Sequence, residues 1–395
     1  MKVKVWKLLS LILITIFALS FAHSVYGLAV TATILVGTSG TNEPYDYGVT
    51  YDSVKGEVFV TNAGSDTVSV ISDKTNAVVA TVPMRFAPYA LAYDQGKGEI
   101  FVNNGNAQTQ LGTVSVISDS TNTVVTNITV GTDPGGIAYD PDKGEIFVAN
   151  QGDTPPDISV ISDSTNTVVD TILTGGTIAD WPQGVAYDSG RGEIFVAIQG
   201  YDAVDVISDS TNAVVATIPT EFPPQAGVAY GVAYDSVKGE IFVTHSGVNN
   251  VTVISDTTNA VVATVPVGLT PEDLAYDPST GQIFVANTVN GTVSVISDST
   301  NSVVSTVTVG NGAFAVAYDS GKNEVFVTNA ADSTVSVISS SSASSTSATS
   351  TPTVPEFGNA TLVSIGAAIV VVTLCTVAIS RKNRNKSRTH RPDFY

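Results

Sequence analysis

The sequence predicts an all-β protein, a seven-bladed β-propeller of four-stranded antiparallel blades, with one transmembrane helix near the C-terminus. Three observations predict the propeller. A unit of about 45 residues recurs seven times, each complete unit holds four strand-like runs, and the last copy lacks a run that the N-terminus supplies.

Each unit is marked by a Tyr-Asp pair and by a Phe eight residues after the Tyr. The tyrosines are spaced by 42, 46, 48, 47, 42 and 42 residues. Repeats of this period indicate either a solenoid or a propeller. The seven tyrosines are Tyr51, Tyr93, Tyr139, Tyr187, Tyr234, Tyr276 and Tyr318.

The content of one unit favours the propeller. In the first unit, residues 48–51, 57–61, 67–72 and 77–82 are rich in Val, Ile, Thr and aromatic residues, and turn residues separate them. Four antiparallel strands form one propeller blade. Both faces of these runs are apolar because each blade packs between two neighbours, so strict alternation is not expected.

The seventh unit ends early. After Val337-Ile338-Ser339 the usual Asp-x-Thr-Asn turn is replaced by serines, so this blade lacks its outermost strand. Residues 29–37 read like residues 260–268, an outer strand of the fifth unit. We therefore expect the N-terminal strand to complete the last blade, which closes the ring and covers an exposed edge. An open solenoid would need capping repeats, which the sequence lacks.

The flanking segments predict export and anchoring. Residues 1–27 combine early lysines with an apolar stretch, as in a secretory signal peptide, and an uncleaved anchor helix is the alternative. The propeller, residues 28–339, is followed by a Ser/Thr-rich linker at 340–358 that contains Pro355-Glu356-Phe357-Gly358. Residues 359–380 are predicted to span a membrane, and the basic tail at 381–395 is predicted to stay in the cytoplasm. The propeller then lies on the cell surface.

Charge excludes some classes of partner, and the cysteine count excludes disulfide cross-links. Residues 28–354 carry 8 Lys and Arg against 34 Asp and Glu, a net charge of −26. Such a domain repels nucleic acid and anionic lipid, so neither is expected as a partner. The single cysteine, Cys375, lies in the predicted membrane span, so no disulfide framework exists. Four sequons are glycosylation candidates: Asn127, Asn250, Asn290 and Asn359.

These residues resemble a known repeat family. The run from Val58 to Asn62, followed by residues 67–72 and 77–82, is similar to the YVTN β-propeller repeat of archaeal surface-layer proteins and bacterial periplasmic relatives. The resemblance covers about 310 of 395 residues. It implies a cell-surface propeller and brings no shared catalytic residues. The Pro-Glu-Phe-Gly tail resembles sorting signals that an archaeosortase, a transpeptidase-like membrane enzyme, processes. Simple stop-transfer anchoring is the alternative.

One face of the propeller is predicted to carry the binding site. The turns between strands one and two and between strands three and four share a face and hardly vary, and we call this the constant face. The opposite face holds the other turns and the connections between blades, which vary strongly, and we call it the variable face. Aromatic and carboxylate side chains on it suit a carbohydrate or a peptide, although such rings also fill gaps between blades. The candidates are Tyr45, Tyr47, Arg85, Phe86, Tyr89, Asp180, Trp181, Phe222, Glu272, Asp273 and Phe314.

Catalytic and metal-binding groups are scarce. Residues 28–339 contain one histidine, His245, which occupies a position held by Asn in five other units and is expected to cap a turn. Zinc and copper would need further His or Cys ligands, and no other cofactor is expected. Calcium is left open, because it needs only oxygen ligands. Its weak candidates are Asp153, Asp157, Asp202 and Asp205. The aspartates that recur in each unit are expected to form Asx turns instead.

Three functional hypotheses follow. The first is a non-enzymatic cell-surface propeller, an envelope component or a recognition and adhesion module that binds a cell-envelope glycan or protein through its variable face. The second is an extracytoplasmic metal-dependent hydrolase, lyase or redox accessory that uses the acidic central funnel. The third is self-assembly into a surface lattice.

Overall fold

A computed structural model describes residues 27–37, 48–105, 112–174, 181–220 and 227–340. These residues form seven four-stranded antiparallel sheets and one short 3₁₀ turn at Ala63–Ser65. The predicted all-β, seven-bladed architecture is confirmed. The predicted signal peptide, linker, transmembrane helix and basic tail lie outside the described residues. Within the described part of the chain, no helix is long and apolar enough to cross a membrane.

The strands follow one another in each blade from the inner to the outer edge of the ring. Blade 1 contains β2 (Val49–Asp52), β3 (Glu57–Asn62), β4 (Thr67–Ser72) and β5 (Ala77–Pro83). Blade 2 contains β6 (Ala87–Asp94), β7 (Glu99–Gly105), β8 (Thr113–Ser118) and β9 (Thr123–Thr129). Blade 3 contains β10 (Pro134–Asp140), β11 (Glu145–Asn150), β12 (Asp157–Ser162) and β13 (Thr167–Leu173). Blade 4 contains β14 (Pro182–Asp188), β15 (Glu193–Ile198), β16 (Ala203–Ser208) and β17 (Ala213–Pro219).

The remaining three blades repeat this order. Blade 5 contains β18 (Ala229–Asp235), β19 (Glu240–His245), β20 (Asn250–Ser255) and β21 (Ala260–Pro266). Blade 6 contains β22 (Pro271–Asp277), β23 (Gln282–Asn287), β24 (Thr292–Ser297) and β25 (Ser302–Thr308). Blade 7 contains β26 (Ala313–Asp319), β27 (Glu324–Asn329), β28 (Thr334–Ser340) and, as its outer strand, β1 (Leu28–Leu35).

The N-terminal strand closes the ring as predicted. Strand β1 pairs antiparallel with β28, from Leu28 opposite Ser340 to Leu35 opposite Thr334. The two ends of the propeller are thereby joined by backbone hydrogen bonds within one sheet. Separating β1 from β28 would expose an unpaired strand edge, which invites aggregation.

The hydrophobic core is divided into seven interfaces between neighbouring blades. Phe59 of blade 1 is fully buried and packs with Leu91 and Ile100 of blade 2. The last interface joins Phe326 of blade 7 to Val58 of blade 1. Burying one such side chain contributes on the order of 2 kcal/mol. The repeated phenylalanine therefore marks the centre of each interface.

The recurrent aspartates after the tyrosines form Asx turns. In blade 1, Asp52 Oδ1 accepts hydrogen bonds from the backbone N–H groups of Val54 at 2.9 Å and Lys55 at 3.0 Å. The side-chain oxygen thus closes the turn between the first two strands. The same pattern recurs in blade 2 at Asp94 and in blade 7 at Asp319.

Lysines of the constant face tie five of the seven blades to the next. Lys55 Nζ donates to the backbone oxygen of Asp119 in blade 2 and lies 3.7 Å from its carboxylate. Lys143 reaches the Asp209 carbonyl at 3.3 Å. The lack of variation on this face therefore reflects structural contacts between blades. Equivalent contacts join Lys97 to Asp163, Lys238 to Asp298 and Lys322 to Asp73.

Candidate binding site at the centre of the variable face

The connections between blades and the turns between second and third strands meet on the variable face. At blade 3, the backbone N–H of Gln151 donates to the carbonyl of Asp133 at 3.1 Å. On the same side, Thr132 Oγ1 donates to Asp153 Oδ1 at 2.7 Å. The connection that enters blade 3 is thus fastened to a turn of that blade.

A cavity of about 650 Å³ lies on the propeller axis, where the inner strands begin. All seven blades contribute residues to its wall. It has the size of a small-molecule or sugar-binding pocket. Its polar and aromatic lining residues are Tyr89, Asp133, Gln151, Gln183, Tyr230, Asp273 and Phe314.

Glycines bring the inner strands close together around this cavity. The third residue before each repeat tyrosine is Gly or Ala in six blades and Asp273 in blade 6. A Cβ at Gly184 would overlap the carbonyl oxygen of Tyr230, and one at Gly231 would overlap the carbonyl oxygen of Glu272. Blade 6 therefore carries a carboxylate where the other blades have almost no side chain.

Two of the aromatic rings in the wall contact each other. The rings of Tyr230 and Phe314 pack edge to face, with their centroids 6.0 Å apart and their planes at 79°. They belong to blades 5 and 7, on either side of blade 6. On the other side of the axis, a Cβ on Gly105 would lie 2.5 Å from the Tyr89 ring, so this ring covers the end of β7.

A pair of glutamines bridges blades 3 and 4 in the wall. Gln151 Nε2 donates to Gln183 Oε1 at 3.1 Å, and Gln183 Nε2 donates back to Gln151 Oε1 at 2.9 Å. The reciprocal pair holds both side chains in place. Amide groups fixed in this way suit the recognition of hydroxyl groups.

Two adjacent carboxyl groups of blade 6 differ from the rest of the acidic surface. Asp273 lines the cavity, and its Oδ2 accepts a hydrogen bond from the backbone N–H of Val316 in blade 7 at 3.1 Å. Burial raises the pKa of Asp273 to about 6. Glu272 is only 5% exposed, and burial, followed by the charge of Asp273, raises its pKa to about 8. Glu272 is therefore mainly protonated at neutral pH, while Asp273 is mainly ionised.

The other predicted candidates are dispersed. Arg85 is exposed, with its guanidinium carbon 5.2 Å from the centre of the Phe86 ring. Trp181 is 45% exposed with a φ of 43°, and it does not line the cavity. Tyr45, Tyr47, Asp180 and Phe222 lie outside the described residues. The structure thus brings Tyr89, Asp273 and Phe314 to one cavity and leaves Arg85 and Trp181 away from it.

Sequence reasoning missed the glutamine pair, and it noted Tyr230 in a connection between blades without choosing it as a candidate. Alignment of the units on their tyrosines supplies a signal for two of these three residues. Gln183 and Tyr230 stand four residues before the repeat tyrosines of blades 4 and 5, as Tyr89, Glu272 and Phe314 do in theirs. Gln151 lies in a turn of variable length, where no such offset applies.

His245 lies away from the cavity wall. It is fully buried at the junction of blades 4 and 5, with Nδ1 3.9 Å from Asp202 Oδ1. Burial lowers its pKa to about 4, so the imidazole is neutral at pH 7. Its carbonyl accepts hydrogen bonds from the N–H groups of Val248 and Asn249 in the following turn. These contacts agree with a structural position for His245.

The four calcium candidates take part in hydrogen bonds within the protein. Asp202 accepts from the backbone of Gly227 at 2.7 Å, and Asp205 accepts from Thr217 Oγ1 at 2.6 Å. Asp157 accepts from Asn150 Nδ2 at 2.6 Å, and Asp153 from Thr132, as described above. In the described residues, no three His, Cys, Asp or Glu side chains are grouped so that they could hold a metal ion. Calcium binding stays a prediction.

Two of the glycosylation candidates are accessible. Asn127 is exposed on β9, where its Oδ1 accepts from Ser115 Oγ at 2.6 Å. Asn290 is exposed on the variable face, and its Oδ1 accepts from the Leu269 N–H at 2.5 Å. Asn250 is half-buried at the start of β20, and Asn359 lies outside the described residues.

Comparison with known proteins supports the fold. No family model matches the chain, and no curated protein matches it. Among solved structures, it is similar to a chain of Kuenenia stuttgartiensis hydrazine synthase, with 20% identity and a TM-score of 0.64. The match covers 75% of this chain and 96% of that one. At this identity the likeness shows a shared propeller fold, and the resemblance to YVTN repeats stays a prediction.

Proposed function

We propose that this protein is a non-enzymatic recognition module of the cell surface, which binds a glycan or protein of the cell envelope in its axial cavity. The observation that carries the proposal is the cavity wall. Seven blades of a closed ring bring three aromatic rings, a fixed amide pair and two carboxylates to one cavity. Rings that stack on sugar faces and polar groups that bond hydroxyls suit a glycan.

The composition of the wall favours binding over catalysis. The described lining residues include no Ser, Cys, His or Lys that would serve as a nucleophile or a general base. One observation favours the alternative of a hydrolase or lyase. Glu272 and Asp273 are adjacent carboxyl groups with different raised pKa values, an arrangement that also occurs in acid–base catalysis.

The cell-surface assignment rests on the sequence of the terminal segments. In this proposal, residues 1–27 direct export, and residues 359–380 anchor the chain or serve as a sorting signal for a membrane transpeptidase. The lack of variation on the constant face leaves the variable face for the partner. Deleting residues 341–395 should release the propeller into the medium, and a truncated protein that stays cell-bound would contradict the anchoring.

A binding screen tests the function itself. The full chain, purified in a mild detergent, would be screened against glycans and envelope peptides, together with Tyr89→Ala and Gln183→Ala. Both variants should weaken binding of a hit by at least about tenfold, because each removes a group from the cavity wall. The control is Tyr201→Ala, since Tyr201 is 39% exposed and does not line the cavity. Equal affinity in all three variants would contradict a cavity site.

A further inference from the structure

We propose that the axial cavity recognises its ligand through an ammonium group, with Asp273 as the counter-ion and the rings of Tyr89, Tyr230 and Phe314 around the bound cation. This inference rests on the proposed function and specifies the chemical class of the ligand. An amino sugar and a lysine-bearing peptide both carry such a group.

The charge of the wall supports a cationic ligand. Among the described lining residues, Asp133 and Asp273 are acidic and none is Lys, Arg or His. The whole segment 28–354 carries a net charge of −26, so the field around the cavity also attracts cations. An anionic ligand would enter against this field.

The position of Asp273 is unusual within the repeat. The equivalent residue of every other blade is Gly or Ala, so the carboxylate is a local exception in an otherwise regular inner ring. Its Oδ2 is held by the Val316 N–H at 3.1 Å, which fixes the group at the cavity wall. Burial destabilises its ionised form, and a cation bound beside it would offset that cost.

The aromatic residues distinguish an organic cation from a metal ion. Ring faces attract ammonium groups electrostatically, and this attraction grows when water is excluded. Calcium instead takes six to eight oxygen ligands. The described wall offers two carboxylates beside three rings, and no described cluster of acidic or imidazole groups could hold a metal. An ammonium group fits this combination better.

The neighbouring carboxyl group of blade 6, Glu272, is also buried. Glu272 is 5% exposed and stands between Tyr230 and Phe314 in the order of the blades, and the rings of these two residues touch. Its raised pKa of about 8 keeps Glu272 mainly protonated at neutral pH, so the negative charge of the cavity wall comes from the aspartates. Blade 6 thus places two acids side by side next to an aromatic pair.

The test compares ligands of the same shape with and without charge. The full chain would be titrated with tert-butylammonium, tetramethylammonium, tert-butanol and calcium chloride, with binding followed by calorimetry and ligand-observed NMR. We expect both ammonium ions to bind at least about tenfold more tightly than tert-butanol. Equal binding of the charged and neutral ligands, or tight binding of calcium alone, would overturn the inference.

Variants locate the site. Asp273→Asn should weaken ammonium binding at least about tenfold, whereas Asp170→Asn, which removes an exposed charge on the outer strand β13, should leave it unchanged. Phe314→Leu should weaken tetramethylammonium severalfold and keeps the test usable if Asp273→Asn does not fold. If Asp273→Asn and Asp170→Asn weakened ammonium binding equally, binding would depend only on overall charge, and the proposal would be overturned.

The outcomes separate this inference from the function on which it rests. If a glycan or peptide binds in a Tyr89-dependent way while no ammonium ion binds, the recognition module stands and the ammonium site is wrong. If ammonium ions bind in the cavity and no envelope ligand does, the site stands and the recognition function is wrong.

Discussion

Replacing Glu272 by Gln should make the stability of the propeller much less dependent on pH. The substitution keeps the shape of the side chain and removes its ability to ionise. In the wild type, burial raises the pKa of Glu272 from an ordinary value of 4.5 to about 8. The folded protein therefore holds this proton more tightly than the unfolded chain does.

The sign and size follow from that difference. A raised carboxyl pKa gives stability that is fully present below pH 4.5 and is lost as the pH rises to about 8. Each tenfold difference in proton affinity between the folded and unfolded chains corresponds to about 1.4 kcal/mol, so the wild type should lose about 3 to 5 kcal/mol from this group over that window. Glu272→Gln should lose none of this stability over the same pH window, because its amide does not ionise. It should therefore be the more stable protein at pH 8 to 9 by a similar amount.

Asp273 and His245 also make stability depend on pH, but they do so equally in the wild type and in Glu272→Gln. Asp273, with a pKa of about 6, loses its contribution between about pH 4 and 6. His245, with a pKa lowered to about 4, acts in the opposite direction, since the folded state gains stability as the pH rises from about 4 to 6.5. Guanidinium unfolding of both proteins at pH 5, 6.5, 8 and 9 isolates Glu272 as the difference between the two curves. Parallel profiles of unfolding free energy against pH for the two proteins would refute the claim that Glu272 is buried and protonated.

Three further predictions concern the ring itself. Phe147→Ala should lower the free energy of unfolding by about 3 to 5 kcal/mol in denaturant titrations, because it leaves a cavity in the core. Lys55→Ala should lower it by less than about 1 kcal/mol, because it breaks a half-exposed ion pair. Equal effects of the two substitutions would contradict a core centred on the repeated phenylalanines. Gly184→Ala should lower the free energy of unfolding by about 1 to 3 kcal/mol, since the added Cβ would overlap the Tyr230 carbonyl oxygen. An unchanged melting temperature would show that the inner strands of blades 4 and 5 are not so close. Deleting residues 28–37 should produce oligomers in light scattering through the exposed edge of β28, and a stable monomer would contradict closure by β1.

The fold could be predicted because every copy of the repeat contains the same local sequence pattern. Phe59 and its equivalents are buried at successive blade interfaces, and the failure of the last copy identified β1 as the closing strand. The Asx turns at Asp52 and its equivalents were likewise local enough to predict. Local chemistry, repeated seven times, was sufficient for these features.

The candidate site was predicted only in part, because it depends on where seven distant segments meet. Asp273 and Phe314 were chosen for their residue types, and the ring placed them at the axis. Trp181 was chosen for the same reason and is exposed on a connection, since nothing in its type fixes its distance from the axis. The Gln151–Gln183 pair joins two blades, so neither residue alone signalled it.

Hydrogen–deuterium exchange of the full chain with and without a bound envelope glycan or peptide tests the central claim most directly. Binding in the axial cavity should protect the amides at the start of β6, β18 and β26, which lie in the cavity wall. The constant-face turns at residues 53–56 and 73–76 should exchange as before. Protection confined to those turns or to the outer strands, with no change at the inner strands, would contradict a binding site at the centre of the variable face.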